Sequence, residues 1–199
     1  PGILEAENYD EGGAGLAFQD DDAANHGSVY RNDDVDITEV DGGGYAIGWT
    51  SKGEWLEYTI DVAHTETYEL ELRVASGLEG SGFSLFIDGK AVTDKIEVPQ
   101  GKDWETYQTI TASTSEINKG KHILKILIEG SYVNIDWIRF KSTTHTDVIS
   151  ISDDNIIPNG EYQLYDIAGR LLRRIEIIDG HIPSEIDGVS NKGVYLLKS

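Results

Sequence analysis

The chain has 199 residues, enough for one well-filled core plus a small extra unit, and carries 16 basic against 36 acidic residues for a net charge of −20. Such a surface repels phosphate backbones and anionic headgroups, so neither nucleic acid nor a membrane surface is an expected partner, whereas neutral polymers and divalent cations are compatible with it. Cysteine is absent, which rules out disulfides, thiolate zinc sites and thiol nucleophiles, and no apolar run approaches the ~20 residues a spanning helix needs.

The chain opens at Pro1-Gly2 directly before ILEAENY, without a leader pattern, and reads as a processed or excised piece of something longer. Within ILEAE, Glu5 and Glu7 stand two positions apart, on one side of an N-terminal strand. The acidic runs DDD (20–22) and NDDVDI (32–37) do not fit the D-x-D-x-D-G calcium loop and read as solvated surface. GGG (42–44) lacks a following GK[ST] and is a turn, not a phosphate cradle. WLEYTIDV (55–62) alternates Leu56, Tyr58, Ile60 and Val62 against Trp55, Glu57, Thr59 and Asp61, the period of a half-buried strand. TYELELRVAS (67–76) repeats the pattern with Tyr68, Leu70, Leu72 and Val74. Further strands are predicted at FSLFID (83–88), ETYQTITA (105–112), HILKILIE (122–129) and VNIDWIRF (133–140), each bounded by turn residues. No stretch holds a helical period with caps, so the fold class is all-β, with two antiparallel sheets packed face to face.

KSTTHTDVISISDDN (141–155) breaks the alternation with Ser, Thr and Asp. The organisation expected is a first domain over 1–142, a linker over 143–155 and a small β-rich, sandwich-like unit over 156–199. That last unit carries EYQLYDIAG (161–169), RLLRRIEII (170–178) and GVYLLK (193–198), and its size is marginal for independent folding.

The functional signal lies in the tryptophans. Trp49 and Trp104 sit in polar, turn-like stretches, GGGYAIGWTSKGEW and VPQGKDWETY, with no apolar alternation for a core indole to join. An indole so placed suits an exposed flat ligand such as a sugar ring. Two at one edge would clamp the apolar faces of a pyranose, each worth about 1–3 kcal/mol by analogy with nucleobase stacking. The competing reading has one or both plugging the end of the core. Trp55 takes the polar side of its strand, either as a contact for a second sugar on the concave surface or as a ring covered by a loop. Trp137, in phase with Val133 and Ile135, is expected in the core. Glu5 and Glu7, joined by Asp136 from the final strand of the domain, offer hard oxygen ligands suited to Ca²⁺, a clip between chain start and domain end. Solvated edge carboxylates are the alternative. The five histidines are isolated, nothing sets the separation of Glu54 and Glu57 as a glycosidase pair, and no catalytic signature stands out.

AENYD, YRNDDVDI, GGYAIGWTSKGEWLEYTIDV, YELELRVAS, FSLFIDGK, VPQGKDWETYQTI and VNIDWIRF, in that order from about residue 3 to 141, resemble a family 6 carbohydrate-binding module. The resemblance implies a jelly-roll β-sandwich attached to a polysaccharide-degrading enzyme, with Glu5, Glu7 and Asp136 at ligand positions of a structural Ca²⁺. It implies a loop-edge site where Trp49 and Trp104 sandwich a sugar, Asn134 hydrogen-bonds its hydroxyls and Tyr107 belongs to the core. Trp55 matches the aromatic of a concave-face site present in some members. The family's G-G-W reads G-K-D-W here, which brings Lys102 and Asp103 beside the clamp. YQLYDIAGRLLRR (162–174) and NKGVYLLK (191–198) resemble a type IX secretion C-terminal sorting domain, implying a secreted or surface-attached bacterial protein. The expected function is non-catalytic: a monomeric module that binds a β-linked polysaccharide of xylan, β-glucan or agarose type and targets a covalently linked glycoside hydrolase. A structural or adhesion sandwich and a glycosidase in its own right are the rival readings. The loop FQDDDAANHGSVYRNDD (18–34) is expected to set the choice of glycan.

Overall fold

A computed structural model describes residues 2–130, 132–143, 147–150, 159–165, 170–178 and 194–198, and the chain divides into two compact units, Pro1–Thr143 and Thr144–Ser199. The first unit contains β1 (Gly2–Glu5), β2 (Phe18–Gln19), β3 (Ile37–Glu39), β4 (Tyr45–Ile47), β5 (Trp55–Val62) and β6 (Tyr68–Ala75). It continues with β7 (Ser81–Ile87), β8 (Lys90–Ala91), β9 (Ile96–Val98), β10 (Gln108–Ser113), β11 (Gly120–Ile128) and β12 (Asn134–Ser142). No helix occurs among the described residues.

Two six-stranded sheets result. One runs β10-β6-β12-β4-β3 with β1 added on β12; the other runs β2-β5-β11-β7-β8 with β9 added on β7. The layering follows from period-two patterning: Leu56, Tyr58 and Val62 of β5, Leu70, Leu72 and Val74 of β6, and Leu124, Ile126 and Ile128 of β11 all enter one core between the sheets. Each such side chain gains about 1.5–3 kcal/mol from burial, so a one-residue slip of any long strand would turn its apolar set to water. This is the all-β jelly-roll sandwich expected, and WLEYTIDV coincides with β5 residue for residue.

β12 departs from simple alternation. Its register on β6 passes from Ile135↔Val74 to Trp137↔Arg73, which leaves Asp136 as the extra residue of a β-bulge. Beyond the bulge the phase inverts. Ile138 joins Val133 and Ile135 in the core, whereas Trp137, expected there, is only half-buried, with the Arg139 guanidinium 5.0 Å from its ring centroid.

The second unit is all-β among its described residues. Within the segment read as a linker, β13 (Asp147–Ser150) pairs with β16 (Val194–Lys198); with β14 (Gly160–Tyr165) and β15 (Leu171–Ile177) they form one four-stranded sheet, β13-β16-β14-β15. The described residues there make one four-stranded sheet, with Leu164, Ile175 and Ile177 buried. Residues 144–146 and 151–155 of the expected linker, 166–169 and 191–193 of the two tail motifs, and His145 and His181 lie outside the described residues.

Candidate functional site

The loops joining β3 to β4, β4 to β5, β9 to β10 and β11 to β12 surround a cavity of about 390 Å³. Trp49, Trp104 and Asn134 all line it, so three of the four sugar-contact residues assigned from sequence come together. Trp55 is elsewhere.

Trp49 follows β4 with φ +46°, a left-handed conformation that costs a non-glycine residue about 1–2 kcal/mol. Its neighbours hold it there. The Gly48 N–H donates to the Asp36 carbonyl at 2.9 Å, and the Thr50 hydroxyl both donates to the Val133 carbonyl and accepts from the Val133 N–H, each at 2.9 Å. The strained turn carries the indole out of the strand's alternation and leaves it 48% exposed, with the His26 ring 6.2 Å away.

Trp104 is half-buried at a bend in the β9–β10 loop, resting on Gly77, where a Cβ would come within 2.9 Å of the indole Cε2. Tyr132 meets it edge-on at 6.2 Å and 84°. The Asn134 side-chain amide donates to the Trp104 carbonyl at 3.0 Å, so Asn134 anchors the loop that presents the indole. Gly48 makes room for it, since a Cβ there would lie 3.1 Å from Asn134 Oδ1. In the G-K-D-W stretch, Asp103 accepts the backbone N–H groups of Thr106 and Glu105 at 2.6 and 3.2 Å, and the bonds from Thr106 are the main force holding its carboxyl below the usual range. Asp103 is thus a turn former, and exposed Lys102 reaches toward it at 3.7 Å without lining the cavity.

Two tyrosines complete the walls. Tyr132, unassigned from sequence, is 49% exposed just ahead of β12. The criterion that found the tryptophans, an aromatic in a polar turn, applies to it equally. Tyr107, expected in the core, is half-buried against the cavity because β10 begins one residue later. Arg73 lies 4.8 Å over its ring, and its buried hydroxyl sits beside the Asn134 side chain without reaching hydrogen-bond geometry. Burial, reinforced by the Asp136 charge, pushes its pKa up to about 12, so it remains a phenol with a donor to offer.

Trp55 is half-buried on β5 between Gln19 and Leu127, with the Lys125 ammonium 3.9 Å from its ring centroid and held by Glu57 at 2.9 Å. One face of that indole is already engaged by a cation.

The proposed metal ligands form an acidic neighbourhood. β1 ends at Glu5, and the Asn8 N–H closes a turn on the Glu5 carbonyl at 3.1 Å, so Glu7 lies in a turn, not on the predicted strand. Glu7 and Asp136 are buried, and Glu7 Oε2 has no hydrogen-bond partner. Burial is the largest cause that pushes the Glu7 carboxyl up to about 7, with Glu5 and Asp136 adding to it; Glu5 and Asp136 are raised by burial first as well. Arg73 bonds and pairs with Asp136. Among the described residues, no three His, Cys, Asp or Glu side chains already converge as a metal cage.

The acidic loops are not simply solvated. Asp36 is buried and accepts the His26 N–H at 2.6 Å; Glu54 is buried and accepts the N–H groups of Asp21 and Ser51 at 3.3 and 2.7 Å. Glu54 therefore ties two loops together and has no arrangement with Glu57 that suggests an acid–base pair, since Glu57 faces Lys125.

The family described as Carbohydrate binding module (family 6) matches residues 22–142. The clotting factor G alpha subunit of Tachypleus tridentatus is 32% identical over 106 residues, 52% of this chain and 16% of that protein. The beta-agarase AgaA of Microbulbifer thermotolerans is 30% identical over 103 residues, 49% of this chain and 24% of that protein. The chain thus spans no more than about a quarter of the length of these curated relatives. Among solved structures, the C-terminal family 6 module of LamC, a marine laminarinase of Zobellia galactanivorans, matches with TM-score 0.57 and 25% identity over 70% of this chain and 98% of that one. A β-1,3-glucan-binding family 6 module from Bacillus halodurans shares the fold at TM-score 0.53 and 24% identity, over 71% of this chain and 96% of that one. With the family match running from β3 through β12 of the first sandwich and the loop-edge cavity they carry, the chain belongs to family 6 of the carbohydrate-binding modules, which bind and do not catalyse.

Proposed function

We propose that this module binds a β-linked polysaccharide of xylan, β-glucan or agarose type in the loop-edge cavity and targets a covalently linked glycoside hydrolase to it. The observation that carries the reading is the pair of indoles, Trp49 and Trp104, lining one open cavity together with Asn134. Indole faces take up the apolar C–H faces of a pyranose, while Asn134 offers hydrogen bonds to its hydroxyls. Two stacking faces at about 1–3 kcal/mol each and hydrogen bonds at about 1 kcal/mol net, less the cost of association, give a Kd of roughly 10 µM to 1 mM. Such weak sites suffice where an attached enzyme and a repetitive polymer supply multivalency. Two similar proteins support the parent-enzyme part: one is named a beta-agarase, and the LamC module belongs to a laminarinase. Trp55 lies outside this cavity and contributes nothing to the site proposed.

The reading includes a structural Ca²⁺ held by Glu5, Glu7 and Asp136. A buried Glu7 with an orphaned oxygen, raised further by the Glu5 and Asp136 charges, suits a hard cation that offsets this charge and fastens the chain start to β12. The tail motifs support a secreted or cell-surface bacterial location reached through type IX secretion.

Affinity electrophoresis on xylan, laminarin, agarose and a soluble cellulose derivative identifies the polymer. Trp104→Ala and Trp49→Ala are each expected to lose about 1–3 kcal/mol of binding to it by calorimetry while folding is retained. Wild-type retardation of Trp104→Ala would reject the cavity as the site.

A further inference from the structure

The cavity has a charged rim that its aromatic walls do not explain. Glu39 on β3, Asp41 in the β3–β4 turn and Glu105 in the β9–β10 loop all line it, and all three are exposed. None of their carboxylates makes an ion pair or hydrogen bond with the described residues. Among the described residues, no lysine or arginine lines the cavity. The nearby cations are already engaged: Arg73 by Asp136, Lys102 at 3.7 Å from Asp103, and His26, beside Trp49, by Asp22 at 3.0 Å. At the Tyr107 phenol the Asp136 charge is opposed by Arg73, and Glu105 adds a further negative contribution. Whatever the protonation of His26, a ligand entering here meets a negative field.

We infer that Glu39, Asp41 and Glu105 are specificity-determining residues that admit neutral and amino-bearing sugars and reject sugars carrying carboxylate or sulfate. This rests on the cavity being the glycan site, as proposed above. Net charge alone would not produce such a filter, because charges spread over the surface are screened beyond about 10 Å at 0.1 M salt. Three carboxylates about 8 Å from a ligand substituent in a water-filled cleft would weaken an anionic sugar about tenfold at low salt and favour an ammonium-bearing one by a similar factor. Stacking on Trp49 and Trp104 is indifferent to this charge, so the rim sets selectivity and the indoles set base affinity.

The test takes the neutral polymer identified by affinity electrophoresis, the same polymer lightly sulfated, and the same polymer lightly aminated. Calorimetry on the full chain at about 20 mM and about 1 M salt then measures the three affinities. At low salt the aminated polymer should bind most tightly and the sulfated one least, about tenfold apart from the neutral polymer in each direction, narrowing to about twofold at high salt. In the E39Q/D41N/E105Q variant the low-salt differences should collapse to about twofold, with neutral affinity kept within about threefold because the amides retain an acceptor. Equal binding of sulfated and neutral polymer by the wild type would overturn the inference. So would equal losses for both derivatives, which would mark bulk instead of charge, or full discrimination persisting in the variant, which would assign it to the whole surface. Absence of binding to every neutral polymer would instead overturn the glycan reading itself. The salt series on wild-type protein stands independently of how the variant folds.

Discussion

Trp104 owes its position to the residue beneath it. The indole atoms Cε2, Nε1 and Cζ2 stand 2.9, 3.0 and 3.3 Å from where a Cβ on Gly77 would be. Carbon contacts settle at about 3.5–4.0 Å, so Gly77→Ala drives the ring outward by about 0.5–1 Å. Gly77 is not among the positive-φ glycines, so its backbone accepts alanine without strain of its own. Nor can that backbone retreat easily: the Gly77 carbonyl accepts from Gln100 Nε2 at 2.9 Å, and the Ser76 carbonyl accepts from the Gly101 N–H at 2.7 Å. The Asn134 bond to the Trp104 carbonyl holds the other end, leaving the side-chain torsions to absorb the displacement into the cavity. Overpacking costs about 1–3 kcal/mol, and the low end applies to a ring that faces open space. Ligand affinity should suffer more than folding, by about 3- to 30-fold, since a tilted ring forfeits much of a stack worth about 1–3 kcal/mol. Urea denaturation gives the first quantity, calorimetry with the retained polymer the second, and tryptophan emission reports the ring's new surroundings. Wild-type affinity and unchanged emission in Gly77→Ala would refute the idea that this seat positions a ligand-contacting indole.

Thr50→Val keeps the side chain's shape but strands the buried N–H and carbonyl of Val133; urea denaturation should show a loss of about 2–4 kcal/mol, and a loss under about 1 kcal/mol would contradict the pinning of the Trp49 turn. Glu54 is pushed up to about 7 and Asp20 to about 6, both mainly by burial, from 4.5 and 3.8. Their folded carboxyls keep protons that the unfolded chain has already released, so the stability they give is greatest at the acid end and is lost as pH rises through about 6 to 7. His26 and His122, raised by Asp22 and Asp88, also lose stabilising charge as pH rises, so the melting temperature in chelating buffer should fall between about pH 5 and 8, and a flat or rising profile would count against these assignments. At about pH 8, Ca²⁺ should raise the melting temperature of chelator-treated protein and Mg²⁺ should do so less, an effect absent in Glu7→Gln; no shift with Ca²⁺ would remove the ion from the proposed function.

The long strands were legible because β5 and β6 alternate apolar with polar residues and burial follows the alternation. Trp49 and Trp104 were legible as misfits, indoles without the apolar neighbours a core requires. Tyrosine gives no such signal, being at home on a surface and in a core, and Tyr132 and Tyr107 went unread or misplaced for that reason. Asp36 and Glu54 look like ordinary acidic surface in sequence; what buries them is a set of backbone N–H donors from other loops, which no local pattern encodes. The convergence of Glu39, Asp41 and Glu105 is equally invisible, since it depends on two loops more than sixty residues apart in the chain. DVIS at 147–150 carries β-branched residues, yet its Ser/Thr/Asp surroundings outweighed them in the reading as linker.

The bulge at Asp136 shows why the one misassigned tryptophan and the missed cavity wall are a single matter. Counting in twos puts Trp137 beside Ile135 in the core; the extra residue sends it outward and lets Ile138 take the place. The same insertion sets a buried carboxylate opposite Arg73, and that pairing fixes a guanidinium over the ring of Tyr107 at the cavity. Arg73 would otherwise be a long, flexible cation free to swing into the site and cancel the acidic rim. Held by Asp136, it supports Tyr107 from behind and leaves the field of Glu39, Asp41 and Glu105 intact. One inserted residue thus connects the acidic residues at the chain start with the electrostatics of the cavity edged by Trp49 and Trp104, through a contact that strand periodicity has no means of recording.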